Sequence, residues 1–269
     1  MSTKVRALTR YYLLDQLKYL GWVYALLIAT FALLPALFAL ISGSFTAATL
    51  PNNLSDLGVG VIFWFFIFIT MSLTYENFKL CIQNGISRRT YFKARVITLL
   101  LLSLIGVLIA TIYYFGVTAN FQHHSALKAL LVQPYGGLYG RFFGSNVFIN
   151  IVGYVVFTWI FMVGTGLTGM AIGGALSLLT TGIRRLVIVV VPILGFFALI
   201  LIANISSSRT YPNDVDTPIE KLFKFLIGYN ADGAAGSFNP TVPVITMIIG
   251  CLVMGAIAYY VNQKLKVKN

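Results

Sequence analysis

Apolar residues in this chain come in long unbroken runs, not in the short alternations of half-buried helices or strands. Six stretches carry no Asp, Glu, Lys, Arg or His: Leu20–Ile41, Leu57–Tyr75, Val96–Thr118, Val147–Leu179, Leu186–Ile205 and Val242–Val261. Crossing about 30 Å of hydrocarbon takes about 20 helical residues, so each predicts a membrane-spanning helix. The fourth run would be roughly 50 Å long at about 1.5 Å per residue, so it must tilt, bend or extend beyond the membrane. Its second half, Gly164 to Gly174, holds five glycines and two threonines. That composition suits a bend or a close helix contact, with a pair of half-helices as the alternative.

The segments between the runs are uneven. Val5–Tyr19 places Val5, Leu8, Tyr12 and Tyr19 among Lys4, Arg6, Arg10 and Lys18, which predicts an amphipathic helix over residues 1–19, lying in the interface before the first span. Ser42–Asp56 reads as a short loop. Ala119–Asn146 contains Pro134, Gly136, Gly137 and Gly140 and predicts irregular chain with one short helix near Ser125–Val132. Ser206–Thr241 begins polar and then turns apolar over Ile219–Tyr229, a piece too short to span and suited to the membrane surface. With no repeat and no linker, the expectation is one all-α, polytopic membrane domain over residues 1–269.

Composition agrees. Of 269 residues, 58% are hydrophobic and only 10% charged, against about a quarter charged in soluble domains. The two cysteines, Cys81 and Cys251, lie in different segments without metal-ligand spacing and are expected to be free thiols. The N-terminus is basic and aromatic, with no short apolar region ending in small residues, so it is not expected to be a cleaved signal.

The net charge of +12 matters through its distribution, and is not a nucleic-acid signal here. Lys4, Arg6, Arg10, Lys18, Lys79, Arg88, Arg89, Lys93, Arg95, Arg184, Arg185, Lys264, Lys266 and Lys268 fall on one side of a six-span arrangement, and Lys128, Arg141, Arg209, Lys221 and Lys224 on the other. Only Asp15 and Glu76 join the basic side, which is therefore expected to be cytoplasmic, with both termini inside.

The most informative loop joins the second and third runs, residues 76–95. Phe78, Cys81 and Ile82 share one helical face. Gly85 suits a helix C-cap and Ser87 the N-cap of a helix running through Arg95 into the third span. The result is a short helix, a tight turn and a basic helix re-entering the membrane: an elbow through which a cytoplasmic partner could push. Glu76 suits the positive end of the short helix, a pair with Arg88 or Arg89, or a partner contact. Arg88 and Arg89 suit either a partner or anionic headgroups.

The stretch Asn84-Gly85-Ile86-Ser87-Arg88-Arg89-Thr90-Tyr91-Phe92-Lys93-Ala94-Arg95 resembles the membrane subunits of bacterial ATP-binding-cassette (ABC) exporters of the type-two permease class. The interfacial N-terminal helix, the six spans and the long last outer loop fit the same layout. The resemblance implies a bacterial plasma-membrane permease that pairs with a second permease subunit, seated on a dimer of cytoplasmic ATPase subunits. It implies coupling contacts at Glu76, Phe78, Lys79, Cys81, Ile82, Asn84, Gly85, Ser87, Arg88 and Arg89. It also implies that the second and fifth spans line the path. Phe63, Trp64, Phe66 and Ile67 would then offer an aromatic lining to lipidic, hydrophobic or amphipathic cargo, where the residues alone leave lipid or neighbouring helices as the alternative. No cofactor is expected on this chain; ATP and Mg would sit on the partner ATPase.

The chain has no G-x-x-x-x-G-K-[ST] phosphate loop, so it is not expected to be an enzyme by itself. No span carries an acid, a histidine or a basic residue, which argues against intramembrane catalysis and ion-coupled transport. His123 and His124 are adjacent and lack the i, i+4 spacing of a metal pair. Asp214 and Asp216 beside Lys221 and Lys224 read as a surface charge cluster. The competing reading is a non-transporting immunity or sensor component that binds a peptide at the Ser206–Thr241 loop.

Overall fold

The computed structural model describes residues 2–73, 75–140, 142, 144, 146–207, 218–229 and 238–266. Among them all regular structure is helical, apart from one isolated antiparallel bridge between Tyr229 and Phe238. The helices, in order, are α1 (Thr3–Ile41), α2 (Thr49–Ser55), α3 (Val59–Ser72), α4 (Tyr75–Gln83), α5 (Arg88–Phe121), α6 (Ala126–Val132), α7 (Pro134–Tyr139), α8 (Val147–Leu178), α9 (Thr181–Ser207), α10 (Pro218–Leu226) and α11 (Thr241–Lys264).

Four of these, α1, α5, α8 and α11, are long and apolar enough to cross a membrane; α2 and α3 pass the same test only when taken together, as a broken span or a re-entrant loop. Large apolar side chains such as Trp22, Phe31, Ile112, Phe148 and Leu252 face outward along them. A water-soluble monomer rarely exposes so much contiguous apolar surface, so these helices require lipid around them.

Two expectations change. The segment over residues 1–19 is not a separate interfacial helix: α1 runs for 39 residues without a break, on the order of 58 Å. Nothing between Tyr19 and Leu20 interrupts the helical ladder, and Leu20 is buried in the core. The one irregularity, a π-helical turn at Ala29–Leu33, comes just before Pro35, whose missing N–H and bulky ring a widened turn accommodates. The second predicted span, Leu57–Tyr75, is shorter than expected. Its helix α3 stops at Ser72 and reaches spanning length only together with α2, across a 44° bend. The predicted fifth run, Leu186–Ile205, lies within α9, where several side chains fall outside the described set.

The short elements hold smaller surprises. The short helix expected near Ser125–Val132 is α6, and Ser125 caps it, its Oγ accepting from Lys128 N. A second short helix, α7, follows at once with Pro134 at its start, and α2 forms inside the expected loop Ser42–Asp56. Asp214 and Asp216 lie outside the described residues.

The core sits where α3, α5 and α8 converge. Down one face α5 buries Tyr91, Arg95, Thr98, Leu102 and Gly106, close to helical repeat. The glycine-rich half of α8 is continuous helix, not two half-helices, and its glycines are contact points. Leu99 packs on Gly166, the end of α3 on Gly169 and Gly173, and Val261 of α11 on Gly174. In lipid no hydrophobic force draws apolar helices together, so such close backbone approach carries much of the association. A side chain at Gly173 would collide with the Ser72 backbone, which cannot swing aside. Gly173→Val should therefore lower thermal stability in detergent, by an amount equivalent to about 1–3 kcal/mol. Gly21→Ala, where nothing lies within 4 Å, should be neutral or slightly stabilising by the same melting measurement.

Candidate functional site

The elbow is built by local backbone chemistry. At the end of α4 the Ile86 amide donates to the Cys81 carbonyl at 2.9 Å and the Gly85 amide to the Ile82 carbonyl at 3.0 Å. That is the paired-bond Schellman stop, and its left-handed residue is Gly85, at φ +72°. Two residues on, Ser87 Oγ accepts from Thr90 N at 3.2 Å and starts α5. Asn84-Gly85-Ile86-Ser87 thus reverses the chain within one turn, as the sequence predicts. An l-residue at Gly85 would be strained by about 1–2 kcal/mol.

The apolar face of α4 is locked into the molecule. Phe78 is fully buried, edge-on to Tyr91 with ring centres 5.6 Å apart, and Tyr91 meets Tyr12 of α1 at 6.3 Å. Cys81 is buried beside them and shares a 3.0 Å hydrogen bond with the Tyr12 hydroxyl. Leu265, just past α11, closes the cluster, with Ile82 and Ile86 at its edge. Residues 262–266 also grip the elbow by polar contacts. Arg88 donates to the Gln263 carbonyl and lies over the Phe78 ring, while Asn262 Nδ2 donates to the Arg88 carbonyl at 3.2 Å. The Tyr75 hydroxyl donates to the Lys266 carbonyl at 3.2 Å.

The opposite face is exposed: Glu76, Leu80, Gln83 and Asn84 lie along α4, with Arg89 and Lys93 beyond the turn. Leu80 is 57% exposed. Of the expected coupling set, Glu76, Asn84, Ser87 and Arg89 can be touched from outside, Gly85 is at the exposed turn, and Lys79, Ile82 and Arg88 are half-buried. Phe78 and Cys81 are out of reach and act by holding the elbow. Glu76 sits in the first turn of α4 and forms no ion pair with Arg88 or Arg89 among the described residues. Leu80, absent from the predicted set, belongs to the exposed face by its i, i+4 spacing from Glu76.

Arg95 is the residue that sequence reasoning missed. Counted there as a basic flank, it is fully buried, and its Nη2 donates to the carbonyls of Met71 at 3.0 Å and Thr70 at 3.3 Å. These belong to the last turn of α3, whose carbonyls lack helical partners, and a cation there also meets the negative end of the helix dipole. The available signal was position: Arg95 lies four residues after Tyr91, on the same stripe as Thr98 and Leu102.

The expected path residues separate. Phe63, Phe66 and Ile67 belong to the core between α3, α5 and α8, and Phe63 rests on Gly106. Trp64 alone of the four is substantially exposed, its Nε1 donating to Thr165 Oγ1 at 3.1 Å and its ring stacked near Phe161. Two apolar grooves flank it, of about 370 and 380 Å3. One runs beside Phe63, Val107, Tyr135 and Phe157, and the other lies against α11 beside Met247, Cys251 and Met254. At the first groove burial, reinforced by Tyr139, pushes the Tyr135 hydroxyl up, so it remains a neutral phenol.

Arg95→Ala should leave two buried carbonyls without a donor and open a cavity. The expected loss is on the order of 3 kcal/mol, read as a lower melting temperature in nanodiscs. Arg95→Lys, which keeps one donor and the charge, should recover part of it.

Compared with known proteins, the chain matches no family model, no curated protein and no solved structure.

Proposed function

We propose that the chain is the permease subunit of an ATP-driven ABC exporter, crossing the bacterial plasma membrane six times with both termini in the cytoplasm. A separate dimer of ATPase subunits, carrying ATP and Mg, bears on the elbow, and a second permease subunit completes the path. The cargo is hydrophobic or amphipathic and moves outward.

The observation that carries this reading is the two-faced elbow. α4 buries Phe78 and Cys81 against three separate parts of the chain and presents Glu76, Leu80, Gln83 and Asn84 on its other side. A load on that face passes through Phe78 and Tyr91 into α5, and through Arg95 into the end of α3. The strong excess of basic residues on the elbow's side supports the cytoplasmic placement. The apolar exposure of described α9 side chains on several faces, seen at Leu186, Ile188, Val191 and Leu194, supports a sixth span that meets lipid or a second subunit. The rival peptide-sensing reading rests on the Ser206–Thr241 loop, much of which lies outside the described residues.

Affinity-purified chain from its native membrane should carry a stoichiometric ATPase identifiable by mass spectrometry, and the complex in nanodiscs should hydrolyse ATP. Leu80→Asp should abolish co-purification while leaving the melting temperature of the permease nearly unchanged, because the side chain is mostly exposed. A chain purified intact with no nucleotide-hydrolysing partner, or a Leu80→Asp variant that still binds one with full activity, would remove the proposal.

A further inference from the structure

The first groove beside Trp64 continues into a second depression, of about 300 Å3, at the end of the bundle opposite the elbow; the two share Gly60, Val61, Ala110, Gln133 and Tyr154. Together they form one channel along α3. Its inner part is hydrocarbon and aromatic, floored by Phe63, Trp64, Val107, Phe161 and Met162. Its mouth is polar, formed by Ser55, Asp56, Tyr113, Tyr114 and Thr118. Size and lining fit a small-ligand site, mostly apolar with a few orienting polar groups.

The polarity of the mouth has a sign. The Tyr113, Tyr114 and Thr118 hydroxyls donate their protons to the carbonyls of Leu54, Ala129 and Ser55. Their oxygens therefore offer lone pairs to anything seated there. Asp56 adds a carboxylate, exposed and bonded only to its neighbour Ser55, at 3.3 Å. It is the one charged residue lining either part, and it has no ion-pair partner among the described residues. Gln133 and the first turn of α3 add donors to the same lining, but the only full charge there is the Asp56 carboxylate, and its complement is a cationic head.

We propose that this channel binds a cationic amphiphile. An apolar alkyl or aromatic segment lies against Trp64 and Phe161, and an ammonium or guanidinium head sits at Asp56. The binding claim stands on the channel alone; that the bound molecule is cargo rests on the exporter reading above.

The test uses the full chain in phosphatidylcholine nanodiscs, with Trp22→Phe and Trp159→Phe leaving Trp64 as the fluorophore. Dodecylammonium should shift Trp64 emission saturably. Dodecyl sulfate and a neutral dodecyl glucoside should bind at least about fivefold more weakly, a ratio that falls with added salt. Asp56→Asn should weaken dodecylammonium about fivefold and leave the neutral probe unchanged. Gly60→Leu, which fills open space in the shared wall, should weaken all three. Equal binding of the three probes, or no effect of Asp56→Asn, would overturn the proposal. So would quenching of Trp64 by brominated phosphatidylcholine that dodecylammonium cannot reverse, since an ordinary lipid would then be the occupant. None of these readings needs an ATPase. Binding without a partner ATPase would leave the channel standing and the exporter reading fallen, and the reverse pattern would do the opposite.

Discussion

The break between α3 and α4 is the point on which the architecture turns. A helix that stops at Ser72 exposes its last carbonyls where little water is present to satisfy them, and unpaired backbone groups are costly there. Arg95 answers Thr70 and Met71 from the first turns of α5. That contact lets the chain leave α3 early, form α4 across the end of the bundle and re-enter as α5. Only part of the cost of burying a guanidinium is offset there: Nη2 meets the negative end of α3, while Nε and Nη1 are buried without a hydrogen-bond partner among the described residues.

This arrangement makes α3 a short strut with a different chemistry at each end. At its C-terminal end it is tied to the elbow through Arg95 and pressed against Gly169 and Gly173 of α8. At its N-terminal end stand Asp56 and the acceptor-lined mouth, with Trp64 between the two. A movement of the elbow that shifts α3 along α8 would change the width of both grooves. The glycine contacts set how closely α3 and α8 approach, with the Ser72 and Met71 side chains against Gly169.

The parts legible in the sequence were those fixed by short-range chemistry. Gly85 at positive φ and Ser87 as N-cap follow from the backbone alone, so Asn84-Gly85-Ile86-Ser87 could be read directly. The apolar runs named most of the long helices, and the glycines of α8 announced close packing. Long-range packing was not legible. Arg95 reads as a positive-inside flank until the end of α3 is seen opposite it. Val5–Tyr19 reads as an interfacial helix because amphipathicity does not reveal that Tyr12 meets Cys81, 69 residues away. The grooves arise where three or more elements converge, so their lining had no signature beyond the aromatic cluster around Trp64.

The central claim is that the exposed face of α4 looks into the cytoplasm. A single cysteine placed at Leu80, in a chain with Cys81→Ala and Cys251→Ala, reports this directly in intact cells. A membrane-impermeant maleimide should label it only after the membrane is opened. Labelling of Leu80→Cys from outside intact cells would put the elbow on the wrong face and contradict the account.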